Sequence, residues 1–138
     1  MDVMDISTSL ISDLMRRARA ASLRAYAPYS KFPVGAAVLT ADGEIYAGAN
    51  VENASYGLSI CAERNAIFHA VALGAKAISA IAVYTPTVAT TPPCGACRQV
   101  MAEFGTDVLV ICCCDAASAE QHYRLADLLP KAFGPGHL

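Results

Sequence analysis

The stretch that decides the fold is "SICAERNAIF", Ser59–Phe68, which opens an apolar, helix-like run. Three chemically active residues, Cys61, Glu63 and Arg64, stand at the entrance of this predicted helix, and Gly74 is placed to end it. A short apolar run, "AISAIAVYT" (77–85), follows directly and is typical of a buried strand. A helix that leads straight into a buried strand indicates an α/β chain.

Helices and strands alternate along the rest of the sequence. A stripe formed by Ile6, Leu10, Leu14 and Ala18 predicts a first helix, which Ser7 or Ser9 can cap. The whole prediction is a helix over 7–26, a hairpin over 34–52 turning at Asp42-Gly43, a helix over 61–73, a strand over 77–85, a helix over 95–104, a strand over 107–114, and a short helix or turn over 123–130. Such alternation favours a mixed sheet covered by helices on both faces, in one domain over residues 1–138.

Composition excludes several classes of function. Apolar residues make up 55% of the 138, charged residues only 16%, and the net charge is −2. A polynucleotide-binding protein would normally carry a basic footprint, so we expect no nucleic-acid partner. The most apolar stretch, 66–84, is broken by His69, Gly74 and Lys76, so we expect no membrane span. The low charge content suggests surface covered by other subunits.

The six cysteines favour a reducing compartment. The N-terminal "MDVMDISTSL" lacks a basic region followed by an apolar one, so we expect no signal peptide and a cytoplasmic protein. Cysteines in such a protein are more often metal ligands or reactive thiols than a disulfide framework.

Cysteines stand at two predicted helix entrances. Pro92 and Pro93 cannot lie inside a helix, so the second helix begins after them, with Cys94 and Cys97 on one face of its first turn. Helix N-termini favour thiolates, and thiolates bind zinc. Together with Cys61 they would supply three ligands and leave one tetrahedral position open, as in catalytic zinc sites.

The neighbours of Cys61 suit such a centre. Glu63 would lie near the open position, where a carboxylate can take a proton from an activated water and pass it on. Arg64 is three residues from Cys61, so its guanidinium can donate to thiolate sulfurs and reduce the negative charge of the site.

Other interpretations of the cysteines and histidines remain open. A CxxC pair alone could be a redox pair or two buried thiols. The run Cys112–Cys114 is expected in the core, although one of its members could act as a fourth ligand and close a structural site. The three scattered histidines are expected to be core or surface residues rather than ligands: His69, His122 and His137.

Four ordered segments resemble the small homotetrameric cytidine deaminases: "YSKFPVGAA" (29–37), "NVENASYGLSICAER" (50–64), "PCGACRQVMAEF" (93–104) and "DLLPKAFGP" (127–135). The resemblance implies a three-layer α-β-α sandwich with a mixed five-stranded sheet. It also implies one zinc ion per chain on Cys61, Cys94 and Cys97, with Glu63 as the proton shuttle.

The same resemblance implies a binding site for a pyrimidine nucleoside. Phe32 would pack against the base, Asn50 and Glu52 would hold the ribose hydroxyls, and backbone groups near Ala54 would read the base edge. Phe133 would stack near the pyrimidine in a neighbouring subunit of a tetramer. Independently, residues 50 and 52 share one face if their segment is a strand. The implied reaction is hydrolytic deamination of cytidine and 2′-deoxycytidine in pyrimidine salvage.

Two alternatives remain at this stage. A blasticidin S-type deaminase would use the same zinc chemistry on a different substrate. A non-catalytic structural zinc module would explain the cysteines but would give Glu63, Asn50 and Glu52 no role.

Overall fold

A computed structural model of the chain describes residues 6–138, and its centre is a five-stranded mixed sheet. The strands are β1 (Gly35–Thr40), β2 (Ile45–Ala49), β3 (Ile78–Tyr84), β4 (Leu109–Cys113) and β5 (Gln121–Arg124), in the order β2-β1-β3-β4-β5. Of these neighbours, β3 and β4 run parallel and the others are antiparallel. The expected mixed five-stranded sheet is confirmed, while residues 1–5 of the N-terminal segment lie outside the described residues.

Helices cover both faces of this sheet, as expected. The helices are α1 (Thr8–Ser22), α2 (Ala62–Ala72), α3 (Gly95–Phe104) and the single turn α4 (Leu125–Leu128). Leu14 and Ala18 of α1 pack in one core cluster with Leu39. Ala66 of α2 and Met101 of α3 pack in a second cluster. The two clusters use alternate residues of the strands, so they lie on opposite faces and form three layers.

The first helix ends earlier than the sequence predicts. Ser7 caps it by accepting a hydrogen bond from the Leu10 amide at 3.1 Å, as expected, but the helix ends at Ser22 rather than near Tyr26. Tyr26 instead pairs with the segment after β2: its amide donates to the Asn50 carbonyl at 3.0 Å, and its carbonyl accepts from the Glu52 amide at 2.8 Å. These long-range backbone bonds replace the last helical turn.

The last strand differs from the prediction of a helix or turn over 123–130. Residues Gln121–Arg124 form an edge strand antiparallel to β4, and only one helical turn follows. All four side chains of β5 are polar or half-exposed, so the strand has no apolar alternation by which it could be recognised. Leu125, buried in the second core cluster, anchors the turn that follows.

One glycine brings α2 close to the sheet. A Cβ at Gly48 in β2 would lie 2.4 Å from the Ala66 amide nitrogen, which is closer than any side chain allows. The absence of a side chain at residue 48 therefore lets the backbone of α2 lie directly against β2. Within residues 6–138, every helix is too short or too polar to cross a membrane.

Candidate active site

Three cysteine thiols converge at the entrances of two helices. Cys61 immediately precedes α2, Cys94 immediately precedes α3, and Cys97 lies in the first turn of α3. Their Sγ atoms all lie within 4.8 Å of one another, and those of Cys61 and Cys94 are 3.9 Å apart. Tetrahedral zinc with Zn–S bonds of about 2.3 Å holds sulfurs about 3.8 Å apart, so the cluster fits a single zinc ion.

The surroundings favour thiolate at this cluster. The pKa of the Cys61 thiol is lowered to about 5, chiefly by a hydrogen bond with Cys97 and further by donation from Arg64. The shared bond raises the pKa of Cys97, so the first negative charge forms on Cys61. Neither Cys61 nor Cys94 caps its helix with its side chain, and both helix N-termini add partial positive charge.

Arg64 contacts the cluster directly. Its Nη2 donates to Cys61 Sγ at 3.5 Å, and this bond is the main reason that the pKa of the guanidinium is raised. Its Nε is buried and has no hydrogen-bond partner among residues 6–138. A fixed positive charge therefore lies against the sulfurs, as the sequence predicts, and offsets part of the negative charge that three thiolates bring to a metal.

A cavity of about 450 Å³ opens beside the cluster. Its walls bring together residues that lie far apart in the sequence: Phe32, Asn50, Glu52, Cys61, Glu63 and Cys94. This volume is within the range of small-molecule sites. All six were predicted from the sequence as metal ligands, proton carrier or substrate contacts, and they lie together on the surface of this cavity.

Glu63 is the buried carboxyl group of the cavity. Its side chain is 5% exposed although the cavity reaches it. Burial raises the pKa of Glu63, and the negative charge on Cys61 raises it further. A buried carboxyl group with a raised pKa beside thiols that can hold a metal is a candidate for proton transfer.

The predicted hydroxyl-binding residues reach the cavity, but not as members of one strand. The strand β2 ends at Ala49, so Asn50 and Glu52 lie beyond it, and the prediction of a shared strand face was wrong in this respect. Asn50 accepts from the Val34 amide and donates to the Phe32 carbonyl, both at 2.9 Å. Two side-chain bonds therefore fix the amide of Asn50 against the segment that carries Phe32.

Glu52 is held by the loop before β1. Its Oε1 accepts from the amides of Tyr29 at 3.0 Å and Ser30 at 3.1 Å, and its Oε2 accepts from the Ser30 hydroxyl. These bonds, the Ser30 hydroxyl first, lower the pKa of Glu52 and keep it ionised. Ser30 was not predicted as a site residue; although it lies in the segment 29–37, nothing in the sequence links it to residue 52.

Two predicted substrate residues lie away from this cavity. Ala54 lies in an exposed loop and is not among the lining residues. Phe133 is 60% exposed; its carbonyl accepts from Gln99 Nε2 at 2.8 Å, and its ring stacks on His137 with centroids 5.5 Å apart. Within one chain, the structure does not bring the Phe133 ring to the cavity.

The remaining cysteines and histidines lie apart from the sulfur cluster. Cys112, Cys113 and Cys114 are buried at the end of β4, and burial raises the pKa of Cys112 to about 11 and that of Cys113 to about 12. Within residues 6–138, neither these thiols nor the histidines join the group of candidate ligands. In the described part of the chain, Cys61, Cys94 and Cys97 would therefore be the protein ligands of a metal ion, and a tetrahedral ion would need one further ligand.

Comparison with known proteins agrees with this site. Residues 8–113 match the family model described as the cytidine and deoxycytidylate deaminase zinc-binding region. A curated cytidine deaminase from Sporosarcina psychrophila is 44% identical over 123 residues, covering 89% of this chain and 90% of that protein. One from Halalkalibacterium halodurans is 48% identical over 120 residues, covering 87% and 91%.

Solved structures show the same architecture. A crystal structure of cytidine deaminase from Burkholderia pseudomallei superposes with a TM-score of 0.84 at 48% identity, covering 88% of this chain and 98% of that one. A crystal structure of a mutant cytidine deaminase from Mycobacterium tuberculosis gives a TM-score of 0.80 at 40% identity, covering 93% and 98%. The family-model match over most of the chain, the identity to full-length relatives and the shared fold agree: this chain belongs to the cytidine and deoxycytidylate deaminase family.

Proposed function

We propose that the protein catalyses the zinc-dependent hydrolytic deamination of cytidine and 2′-deoxycytidine to uridine and 2′-deoxyuridine, with release of ammonia, in pyrimidine salvage. The observation that carries this proposal is the position of Glu63. A buried carboxyl group with a raised pKa lies beside an open three-thiol cluster, on the wall of a cavity of nucleoside size.

Cys61, Cys94 and Cys97 would hold the zinc ion. When bound, zinc supplies the Lewis acidity that makes a water molecule a nucleophile at neutral pH. Cys61 and Cys94 line the cavity, and Arg64 would limit the negative charge that the three thiolates accumulate. A structural module would need a fourth protein ligand, and none joins the three thiols among residues 6–138.

Glu63 would move the protons of the reaction. Its carboxylate takes a proton from the attacking water and delivers it to N3 of the pyrimidine as the new C–O bond forms at C4. A second proton, from the new C4 hydroxyl, passes through the same carboxyl group to the exocyclic amine; the C4–N bond then breaks, ammonia leaves and the C4 carbonyl forms. Burial supports the role as proton donor, because it raises the pKa of Glu63 above that of an exposed carboxyl group.

The other cavity residues would bind the nucleoside. Phe32 offers an aromatic face to the base, while Asn50 and Glu52 offer polar groups to the ribose. Asn50 keeps one amide hydrogen and one lone pair after its two backbone bonds, so it can still bind a hydroxyl.

Assembly as a homotetramer would complete the site. Large apolar side chains are exposed near the cavity and on the tail, among them Tyr26, Tyr56, Leu58 and Phe133. A second copy of the chain would cover this surface and would place Phe133 against the pyrimidine of its neighbour. A reducing cytoplasm would keep the thiols of Cys61, Cys94 and Cys97 free of disulfides and available for zinc.

Ultraviolet absorbance of purified protein mixed with cytidine tests this proposal. We expect a loss of cytidine absorbance that stops when a chelator removes zinc and returns when zinc is added back. Blasticidin S provides the comparison for the alternative substrate, and we expect a much lower kcat/KM for it. Turnover of blasticidin S without turnover of cytidine would contradict the proposal.

A further inference from the structure

Ser30 lies at the centre of a hydrogen-bond network on the cavity wall. Its hydroxyl donates to Glu52 Oε2, its amide donates to Glu52 Oε1 at 3.1 Å, and the neighbouring Tyr29 amide donates to the same oxygen at 3.0 Å. Three donors of one dipeptide thus hold both oxygens of a carboxylate that is 22 residues away in sequence.

The same serine fixes the residue expected to contact the base. Its Oγ accepts a hydrogen bond from the Phe32 amide at 3.1 Å, and the Phe32 carbonyl accepts from Asn50. Lys31, which lies between Ser30 and Phe32, has a φ of 57°, in the left-handed region that residues other than glycine rarely adopt. Such strain persists where the surrounding structure determines the backbone, and it is frequent at ligand sites.

These bonds leave Glu52 little freedom. An ionised carboxylate offers about four acceptor positions, and the Tyr29–Ser30 segment occupies three of them. The one free acceptor position is on Oε2, and the three hydrogen bonds to the carboxylate fix its direction. Glu52 remains ionised, and hence purely an acceptor, because the same donors lower its pKa.

We propose that Ser30 is a positioning residue, which aims the free acceptor position of Glu52 at a ribose hydroxyl and thereby sets the preference for nucleosides that carry these hydroxyls. This inference rests on the proposed function. Ser30 makes no hydrogen bond with Glu63 or with the sulfur cluster among residues 6–138. Its removal should therefore weaken substrate binding and leave the chemical step nearly intact.

The test compares cytidine with 2′,3′-dideoxycytidine, which lacks the 2′- and 3′-hydroxyls of the ribose, in Ser30→Ala and Ser30→Thr. Hydrogen bonds to charged groups are strong enough that we expect kcat/KM for cytidine to fall about 10-fold in Ser30→Ala, chiefly through KM. The value for the dideoxynucleoside should fall less, by about 2-fold, because this substrate keeps only the base contact with Phe32 that Ser30 also supports. Ser30→Thr keeps a hydroxyl and should restore most of the preference. Ser9→Ala, which removes an exposed hydroxyl of α1 outside the cavity lining, should retain the parent preference.

An equal loss on both substrates in Ser30→Ala would overturn the inference, because a general loosening of the loop would have that effect. An unchanged preference in a folded, zinc-loaded variant would also overturn it. Amide hydrogen exchange at Phe32 gives a readout that needs no catalysis: exchange should be faster in Ser30→Ala and normal in Ser30→Thr. Unchanged exchange in Ser30→Ala would refute the claim that the Ser30 hydroxyl restrains the Phe32 amide. A parent protein that is inactive on cytidine would instead refute the proposed function.

Discussion

Removal of the Arg64 guanidinium should weaken zinc binding without unfolding the protein. Nη2 of Arg64 donates to Cys61 Sγ at 3.5 Å, so Arg64→Ala leaves that thiolate without its charged donor. Hydrogen bonds to charged groups contribute about 1.5–3 kcal/mol. At about 1.4 kcal/mol for each factor of ten, this corresponds to about 10–150-fold. Residues that support metal ligands typically contribute about 10–100-fold, so we expect a loss within that range.

Competition with a chromogenic chelator measures the zinc dissociation constant, and cytidine turnover at saturating zinc measures the remaining activity. Arg64→Gln keeps hydrogen-bond donors and should lose less than Arg64→Ala. Arg17→Ala removes an exposed arginine of α1, which pairs with Asp13 at 3.3 Å, and serves as the control for a change in net charge. If both Arg64 variants retain the zinc affinity and turnover of the Arg17→Ala control, Arg64 plays no part in tuning the metal site.

Three further predictions concern the ligands, the assembly and the fold. Replacing Cys61, Cys94 or Cys97 singly with Ala should remove zinc and activity together, whereas Ser at Cys112, Cys113 or Cys114 should leave zinc bound; metal analysis showing the opposite pattern would overturn the ligand assignment. Mixing Glu63→Gln chains with Phe133→Ala chains should restore activity above the sum of the two, and no gain after subunit exchange is verified by mass would place Phe133 outside the neighbour's site. Gly48→Ala should lower the free energy of unfolding by about 1–3 kcal/mol in a urea titration, because its Cβ would meet the backbone of α2; an unchanged midpoint would show that the helix can shift at no cost.

The sequence predicts the elements that carry regular apolar patterns and misses those that depend on long-range contacts. The helix α3 begins and ends at the predicted residues, because two prolines precede it and a glycine follows it. Gly105 does not form a left-handed turn, since its φ is −157°. Glycine is required there because a Cβ would lie 2.8 Å from the Ile78 carbonyl oxygen. The polar edge strand β5 left no pattern to detect.

The candidate site also has features that the sequence predicts and features that it does not. The residue types at the two helix entrances predict three thiolates, a carboxylate and a guanidinium, and the structure brings all of them to one place. Spacing cannot show that Cys61 and Cys94, 33 residues apart, meet at 3.9 Å, because the sheet and the helices packed on it determine that distance. The hydrogen bond from the Ser30 hydroxyl to Glu52 could not be predicted from the sequence either, because it depends on the path of the loop before β1.

The central claim is that a buried carboxyl group beside a three-cysteine zinc site carries the protons of the reaction. Its most direct test is the turnover number of Glu63→Gln for cytidine, measured on protein with one zinc ion per chain and a parent-like thermal transition. General acid–base groups commonly contribute about 10²–10⁴-fold. Because Glu63 would serve more than one proton transfer, we predict a loss at or beyond the upper end of that range. Turnover within a few-fold of the parent in the zinc-loaded variant would contradict the account.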